Sequence, residues 1–186
     1  MGLVGNVLKV ALSRPILLMV AKVYIPVLFP LTFLIALIAT ATDSAMGFNG
    51  LLPDDMRLPA AALSFIIGAA LWLWTYEQLV THGKGSPSPV AGRTLQLVTS
   101  GIYAYSRNPS VFGKLLGVLA VGFALNSVAF CCILVPALLA GSLIEKVWRQ
   151  EPQLIEIFGE DYVRYRDRVP LFLPWGIIFP SRKFQE

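Results

Sequence analysis

The sequence predicts an all-α integral membrane protein with about four transmembrane helices. Of its 186 residues, 56% are hydrophobic and only 14% are charged, and the mean hydropathy is +0.68. Soluble domains carry about 25% charged residues, which excludes an ordinary soluble fold. The apolar residues are collected in long runs, and the length suits a single membrane domain over residues 1–186 without a separate soluble domain.

Four apolar segments approach or exceed the roughly 20 residues that a transmembrane helix needs. They cover residues 15–41, 58–80, 109–125 and 128–147. The first contains Pro26 and Pro30 and is long enough to tilt or kink, as one helix or as two pieces. It is also too long for a signal peptide, so we expect it to be retained. Asn126 and Ser127 leave almost no loop between the last two spans, which predicts a tight antiparallel hairpin.

The basic residues predict the orientation of this bundle. Lys and Arg are concentrated before the first span, between the second and third, and after the fourth, whereas the loop between the first two spans has Arg57 against three aspartates. The positive-inside rule then puts both termini in the cytosol, at the bacterial inner membrane or, in a eukaryote, at the endoplasmic reticulum. Residues 83–108 and 146–180 become cytosolic segments. Topology and lipid headgroups account for the positive charge, so we expect no nucleic acid partner.

Small residues predict how the helices pack. Gly113 and Gly117 form a G-x-x-x-G motif in the third span, and Ala137 and Gly141 form a similar pair in the fourth. Such motifs allow two helix backbones to approach closely in a membrane. We therefore expect the third and fourth spans to contact each other through these positions.

The sequence has no pattern of metal ligands. Cys131 and Cys132 are adjacent within an apolar run, so their side chains point in different directions on a helix. His82 is the single histidine. Because neither zinc-type spacing nor a pair of histidines is present, we expect no metal site.

The segment after the fourth span predicts two short helices. Pro152 suits a first helical turn and Gly159 a C-terminal cap. A second helix is expected from Glu160 to about Arg168, ending before Pro170. The run VPLFLPWGIIFP that follows is too short and too rich in proline to span the membrane. We expect it to lie at the interface or to fold back over the bundle, so that the helical tail closes a pocket.

Polar side chains are predicted to converge at the cytosolic boundary, because the hairpin brings the start of the third span and the end of the fourth to the same face. They are Gln96, Tyr103, Tyr105, Arg107, Asn108, Ser110, Glu145, Lys146, Arg149, Gln150 and Glu151. Such a group suits a zwitterionic ligand, since Arg107 can bind a carboxylate in a fork and Glu151 can accept from an ammonium group or from ribose hydroxyls. The same residues can also serve as headgroup anchors and helix caps, and their spacing alone leaves both interpretations open.

Two motifs at this boundary carry a resemblance to a known family. The segment GIYAYSRNPSVFG fits the pattern G-x-Y-x-x-x-R-[HN]-P-x-x-x-G. After a hairpin, QEPQLIEIFGEDYVRY fits E-E-x-x-L-x-x-x-F-G-x-x-Y-x-x-Y, with glutamine in its first position. Together they resemble the isoprenylcysteine carboxyl methyltransferase and phospholipid methyltransferase family, most of all its bacterial branch. The resemblance covers residues 83–174, about half of the chain.

The resemblance implies an enzyme that binds S-adenosylmethionine without a Rossmann domain. It implies methyl transfer to a lipid-like or prenylated acceptor through a carboxylate, an amine or a thiol. The cofactor-binding residues that it implies are Leu95, Gln96, Leu97, Val98, Tyr103, Arg107, Asn108, Pro109, Ser110, Gln150 and Glu151. The catalytic candidates, which would orient or polarise the acceptor, are Lys146, Arg149 and Glu145.

Two positions depart from the family pattern. Gln150 stands where the family has the first of two paired glutamates, and Lys146 stands where it has an arginine near the acceptor. Two alternatives therefore stay open. One is a nicotinamide-dependent membrane reductase of the steroid-reductase type, which would need basic residues for the cofactor phosphates. The other is a non-catalytic lipid-binding scaffold.

Overall fold

The computed structural model describes residues 29–83 and 96–172 of the chain. Its helices are α1 (Phe29–Met46), α2 (Asp54–His82), α3 (Pro109–Leu125), α4 (Phe130–Phe158) and α5 (Glu160–Arg168), with a short 3-10 turn at Gly101–Ala104 before α3. No strand occurs within the two described ranges, which agrees with the predicted all-α fold. The observed bounds of α3 and α5 are those that the sequence predicted, because prolines and a glycine mark them.

Two of the described helices, α2 and α4, are long and apolar enough to cross a bilayer, with 29 residues each. Helix α3 is apolar but has 17 residues, which extend about 26 Å. Helix α1 is a further short apolar helix, and residues 15–28 of the first predicted span lie outside the described residues. Parts of the two predicted cytosolic segments, residues 84–95 and 173–180, lie outside them as well. The fold is therefore that of a helical membrane protein with two candidate spanning helices.

The long helix α4 contains two π turns, and a proline follows each of them. The turns are Phe130–Leu134 and Lys146–Gln150, and Pro136 and Pro152 lie two residues beyond them. A proline ring clashes with the carbonyl four residues earlier, which here belongs to the widened turn. The wider turn accommodates the proline without ending the helix. The sequence predicted a span ending at Val147 and a separate short helix, whereas the structure has one continuous helix.

Helices α2 and α3 approach each other through two glycines. A Cβ atom on Gly68 would lie 2.7 Å from Gly113 O, and one on Gly113 would lie 2.8 Å from both Gly68 O and Trp72 N. In contrast, a Cβ atom on Gly141 of α4 would meet nothing within 4 Å. The glycine motif of the third span therefore packs against α2. The expected close contact of the third and fourth spans at Gly141 is wrong, because these helices diverge there around a cavity.

Asn126 forms the tight turn between α3 and α4 that the sequence predicted. It ends α3 in the left-handed region with φ 53°, and Ser127 Oγ accepts the N–H of Phe130 at 3.1 Å at the start of α4. The Asn126 side chain also accepts the N–H groups of Leu51 and Leu52 at 2.9 and 2.8 Å, and it donates to Leu52 O at 2.8 Å. The loop before α2 is thereby fixed to the hairpin, at the end of α3 away from the predicted site.

Candidate functional site

Two neighbouring cavities lie beside the second π turn of α4. The first, here called the polar cavity, has a volume of about 90 Å³ and is enclosed by residues from the segment before α3, from the second half of α4 and from α5. The second, here called the interhelical chamber, has a volume of about 590 Å³ and lies between α3 and α4. Lys146 and Gln150 line both cavities. The π turn is therefore the partition between them.

A buried ion pair joins two elements in the wall of the polar cavity. Arg107 Nη1 donates to Glu151 Oε1, and each side chain is only 12% exposed. Arg107 Nε is buried and has no hydrogen-bond partner within the part of the chain that the structure describes. A buried donor without a partner costs about 1–3 kcal/mol. This atom is therefore a favourable binding point for an anionic group.

The chain segment before α3 holds the residues that follow α5. Its bonds run from Arg107 N–H to Pro170 O (3.0 Å), from Ser106 Oγ to Phe172 O (2.7 Å) and from Asn108 Nδ2 to Leu171 O (3.2 Å). Pro109 comes next as the first residue of α3, where its missing N–H costs no helical hydrogen bond. Arg107 thus faces the cavity, the Asn108 amide fixes the residues that follow α5, and Pro109 starts α3.

Three tyrosines complete the wall of the polar cavity. Tyr165 donates its hydroxyl to Tyr103 O at 2.7 Å, and the rings of Tyr162 and Tyr165 pack with their centroids 6.1 Å apart. Burial raises the pKa of all three phenols above their ordinary value, and the neighbouring Glu151 carboxylate raises that of Tyr162 further. The phenols therefore stay protonated at neutral pH. Glu151 is the acidic residue among those that line this cavity.

The π turn brings Glu145, Lys146 and Gln150 together. Its backbone bonds close over five residues, as the N–H of Glu151 shows by donating to Lys146 O, so side chains five positions apart come to the same side. Gln150 Nε2 donates to the two oxygens of Glu145 at 3.2 and 3.1 Å, and Lys146 Nζ donates to Gln150 Oε1 at 2.7 Å. Lys146 Nζ also lies 3.7 Å from Glu145 Oε2. The three side chains form a closed network at the partition.

A match to a known family covers most of these elements. The chain matches the phospholipid methyltransferase family over residues 56–161, which is more than half of its length. It belongs to this family. The chain is also 33% identical over 78 residues to the protein-S-isoprenylcysteine O-methyltransferase of Schizosaccharomyces pombe, covering 42% of this chain and 33% of that protein. It is 36% identical over 90 residues to the human protein of the same name, covering 44% of this chain and 28% of that protein.

The matched part thus spans a third or less of the length of these relatives. Membership of the phospholipid methyltransferase family confirms the family that the two sequence motifs predicted. The match ends within α5 at residue 161, so it includes the segment before α3, the π turn and the interhelical chamber, whereas Tyr162 and Tyr165 of the polar cavity lie just beyond it. Most of the site described above therefore lies in the part of the chain that the family shares.

In this member of the phospholipid methyltransferase family, most residues predicted to bind a cofactor line the polar cavity. They are Gln96, Leu97, Val98, Tyr103, Arg107, Asn108, Gln150 and Glu151. Pro109 and Ser110 begin α3 and belong to the lining of neither cavity. Leu95 lies outside the described residues. The structure thus brings eight of the eleven residues to one cavity.

The three predicted catalytic residues have three different surroundings. Lys146 lines both cavities, and Glu145 lines the interhelical chamber. Arg149 is exposed and lines neither of them. Its neighbour Trp148 is 80% exposed, so this side of the π turn faces away from the bundle.

Sequence reasoning missed five residues of the polar cavity, which are Leu79, Leu154, Phe158, Tyr162 and Tyr165. The last three belong to the F-G-x-x-Y-x-x-Y motif, and the spacing of the two tyrosines, three residues apart on α5, could have indicated a shared face. Leu79 comes from α2, and only helix packing reveals its position. Across the described ranges, no three His, Cys, Asp or Glu side chains are grouped in a way that could hold a metal ion.

Proposed function

We propose that this chain is a membrane methyltransferase that transfers the methyl group of S-adenosylmethionine to a lipid-like or prenylated acceptor. The observation that supports this function is the wall shared by a cavity that contains a buried Arg–Glu pair and a larger chamber between two helices that is lined by both apolar and charged side chains. The first suits a zwitterionic donor, and the second suits an amphiphilic acceptor. Two relatives are named as methyltransferases of isoprenylcysteine, which is such an acceptor.

The residues of the polar cavity fit S-adenosylmethionine through the chemistry of their donors and acceptors. Arg107 can bind the carboxylate of the ligand through its free Nε atom, since a guanidinium group matches a carboxylate in a fork. Glu151 can accept from the ammonium group or from ribose hydroxyls. When bound, this molecule supplies a methyl group activated by a sulfonium centre. The tyrosines are neutral at pH 7, because burial raises the pKa of their phenols, and they add no competing charge to the wall.

Binding would require the polar cavity to widen. Its volume of about 90 Å³ is smaller than the roughly 300–1,000 Å³ of usual small-molecule sites. The contacts that hold it narrow are the Arg107–Glu151 pair and the hydrogen bond from Tyr165 to Tyr103 O. We infer that α5 and the tail after it act as a cover over the cavity, which opens when these contacts separate.

The interhelical chamber suits the apolar part of an acceptor. Val111, Leu115, Val118 and Leu138 are among the side chains that line it, and it meets the polar network at Lys146. Methyl transfer by in-line displacement needs the acceptor atom within about 3–3.5 Å of the methyl group, so a wall shared by both cavities is where it can occur. Lys146 can orient an acceptor there because it lines both spaces.

This function implies a membrane topology that we also propose. Helices α1 and α3 would complete a bundle of four spans, both termini would be cytosolic, and the polar cavity would open to the cytosol. The positive-inside distribution of Lys and Arg supports this orientation. The soluble donor would then enter from the aqueous side while the acceptor enters from the lipid.

A nicotinamide-dependent reductase has weaker support, because Arg107 and Lys146 are the two cationic side chains among the described residues that line the polar cavity. Cofactor phosphates would need further cations than these. No contact among the described residues specifically favours a non-catalytic scaffold. The experiment below distinguishes a scaffold from an enzyme.

Calorimetric titration of the detergent-purified protein with S-adenosylmethionine tests the proposal. We expect micromolar binding, and a loss of about 100-fold or more in Arg107→Ala and Glu151→Ala, because truncating one partner of a buried charged contact between protein and ligand costs about 2–5 kcal/mol of binding free energy. Arg164→Ala is the matched control, since Arg164 pairs with Asp161 at 2.5 Å on the exposed face of α5. It should bind within about twofold of the unmodified chain, as exposed pairs contribute about 0–1 kcal/mol.

Release of S-adenosylhomocysteine in membranes that contain a prenylated acceptor would then distinguish an enzyme from a scaffold. Thermal unfolding of each variant separates lost binding from lost folding. If the unmodified protein gives no heat with S-adenosylmethionine and no competition by S-adenosylhomocysteine, the methyltransferase proposal is wrong.

A further inference from the structure

The outward side of α4 changes from apolar to polar at the second π turn. Within residues 133–148 the exposed positions are apolar side chains and one glycine, and the last of them is Trp148. Arg149 follows directly, and Gln153 and Glu156 are exposed beyond it. With 29 residues, α4 extends about 44 Å and exceeds a hydrocarbon core of about 30 Å, so one part of it lies outside the core. The change at Trp148 and Arg149 marks where the helix leaves it.

The second π turn has an inner side and an outer side. On the inner side, Lys146 and Gln150 line both cavities. On the outer side, Trp148 and Arg149 are exposed and line neither cavity. Tryptophan is enriched at membrane–water interfaces, where its ring lies at the level of the lipid headgroups. The partition between the two cavities is therefore at headgroup depth.

Arg149 carries a charge that the described part of the chain does not neutralise. Exposed or half-buried arginines elsewhere pair with a nearby carboxylate, as Arg57, Arg164 and Arg166 do. Across residues 29–83 and 96–172, Arg149 has no such partner, and Glu145, four residues before it, is bonded to Gln150. A guanidinium group binds a phosphate through two parallel hydrogen bonds. Arg149 is thus a free phosphate-binding group at the depth where lipid phosphates lie.

We propose that Trp148 and Arg149 form a site for an anionic phospholipid. The lipid phosphate binds the Arg149 guanidinium, and the acyl chains pack beside Trp148 and Ile144, which is exposed one turn earlier. This lipid holds the π turn at the headgroup level, between the aqueous side and the apolar layer. The inference goes beyond the proposed function, since it requires only that α4 spans a bilayer and does not depend on methyl transfer.

Fluorescence quenching by brominated lipids tests this site with the full chain in nanodiscs. The two probes are phosphatidylglycerol and phosphatidylcholine, brominated at the same acyl-chain position, so they differ only in the headgroup. The sequence has four tryptophans, and the difference between the unmodified protein and Trp148→Phe isolates the signal of Trp148. We expect phosphatidylglycerol to bind beside Trp148 about fivefold more tightly, which corresponds to the roughly 1 kcal/mol that one arginine contributes near an anionic surface.

Substitutions of Arg149 separate charge from geometry. Arg149→Ala should abolish the preference for phosphatidylglycerol, whereas Arg149→Lys, which keeps the charge but loses the planar fork, should retain about two- to threefold. Arg164→Ala removes the same charge from the exposed face of α5 and should leave the preference unchanged. Because Arg149 is exposed, Arg149→Ala should unfold at the same temperature as the unmodified protein in phosphatidylcholine nanodiscs, so a lost preference reports on the lipid and not on folding.

Salt provides an independent check on the same preparation. At 1 M salt the Debye length falls to about 3 Å, so the preference should disappear while quenching by both brominated lipids persists. Equal quenching by the two lipids at low salt would overturn the inference, and so would a preference that survives in Arg149→Ala or at 1 M salt. The proposed function fails separately, through the absence of S-adenosylmethionine binding in the calorimetric titration. Selective quenching by phosphatidylglycerol without that binding would uphold the lipid site and reject the methyltransferase.

Discussion

The two faces of α3 differ in how closely they meet their neighbours. Towards α2, Gly113 lies against Gly68 so closely that one added Cβ atom would overlap backbone atoms at 2.8 Å. Towards α4, the same helix borders a chamber of about 590 Å³. Close packing of this kind is a usual source of helix association in a membrane, because the lipid is as apolar as the side chains and burying them adds little driving force. The comparison indicates that one interface holds the bundle together while the other remains open for a ligand.

The difference also explains why a glycine motif alone does not identify the packing partner. Gly113 and Gly141 are both small residues inside apolar helices. Only Gly113 lies close to the backbone of another helix, α2, whereas a Cβ atom on Gly141 would meet nothing within 4 Å. A small residue can therefore mark a close contact or leave space beside a cavity. Mutation of the two positions separates these roles.

The largest expected effect is a loss of stability in Gly113→Ala relative to Gly141→Ala. Both changes add one methyl group inside a helix, so both gain the same intrinsic helix propensity. At Gly113 the methyl group meets Gly68 O and Trp72 N, which are backbone atoms and cannot rotate away. Overpacking of this kind costs about 1–3 kcal/mol. We expect Gly113→Ala to be less stable than Gly141→Ala by that amount, as measured by unfolding in mixed micelles.

Equal stability of these two variants would contradict the comparison, because it would mean that the α2–α3 interface can separate without cost. Gly68→Ala provides a check from the other side of the contact. Its Cβ atom would lie 2.7 Å from Gly113 O, so it should be destabilised to a similar extent.

Filling the open interface between α3 and α4 should reduce the activity of the protein but not its stability. Gly141→Leu would place a large side chain in the interhelical chamber, where the glycine now lines the space. We expect methyl transfer to a prenylated acceptor to fall about tenfold, which corresponds to about 1.4 kcal/mol, while the affinity for S-adenosylmethionine stays within about twofold. Acceptor kinetics and calorimetry on the same preparation provide the two measurements.

A fall in S-adenosylmethionine affinity as large as the fall in transfer would contradict a separate acceptor chamber. Gly117→Leu serves as the comparison on α3. Its added Cβ atom also meets nothing within 4 Å, but Gly117 is not among the residues that line the chamber. It should therefore reduce transfer less than Gly141→Leu does.

The sequence was sufficient to predict the features that depend on the local chemistry of single residues. Pro109 begins α3 because proline suits the first helical turn, and Asn126 ends it because asparagine tolerates a left-handed conformation. Gly159, with φ 55°, separates α4 from α5 for the same kind of reason. The two motifs also predicted the family, and the resemblance that they carry implied eight residues that line the polar cavity.

Other features depend on tertiary contacts that spacing does not encode. Pro152 was interpreted as the start of a helix, whereas a π turn lets α4 continue through it. Arg149, which was expected to orient or polarise the acceptor, is exposed and lines neither cavity. The partner of Gly113 was expected in the fourth span, but α2 provides it.

The smallest expected effect concerns a single hydrogen bond across the tight interface. Ser64 of α2 is buried and donates its hydroxyl hydrogen to Leu116 O of α3 at 2.9 Å. Interhelical hydrogen bonds in membranes contribute about 0.6 kcal/mol on average. Ser64→Ala should therefore destabilise the protein by about this amount, and Ser142→Ala, which removes the same group beside the open chamber, should change stability less. Unfolding of both variants under the same conditions measures the difference. A larger loss in Ser142→Ala would mean that the α3–α4 interface contributes more to stability than its open geometry indicates.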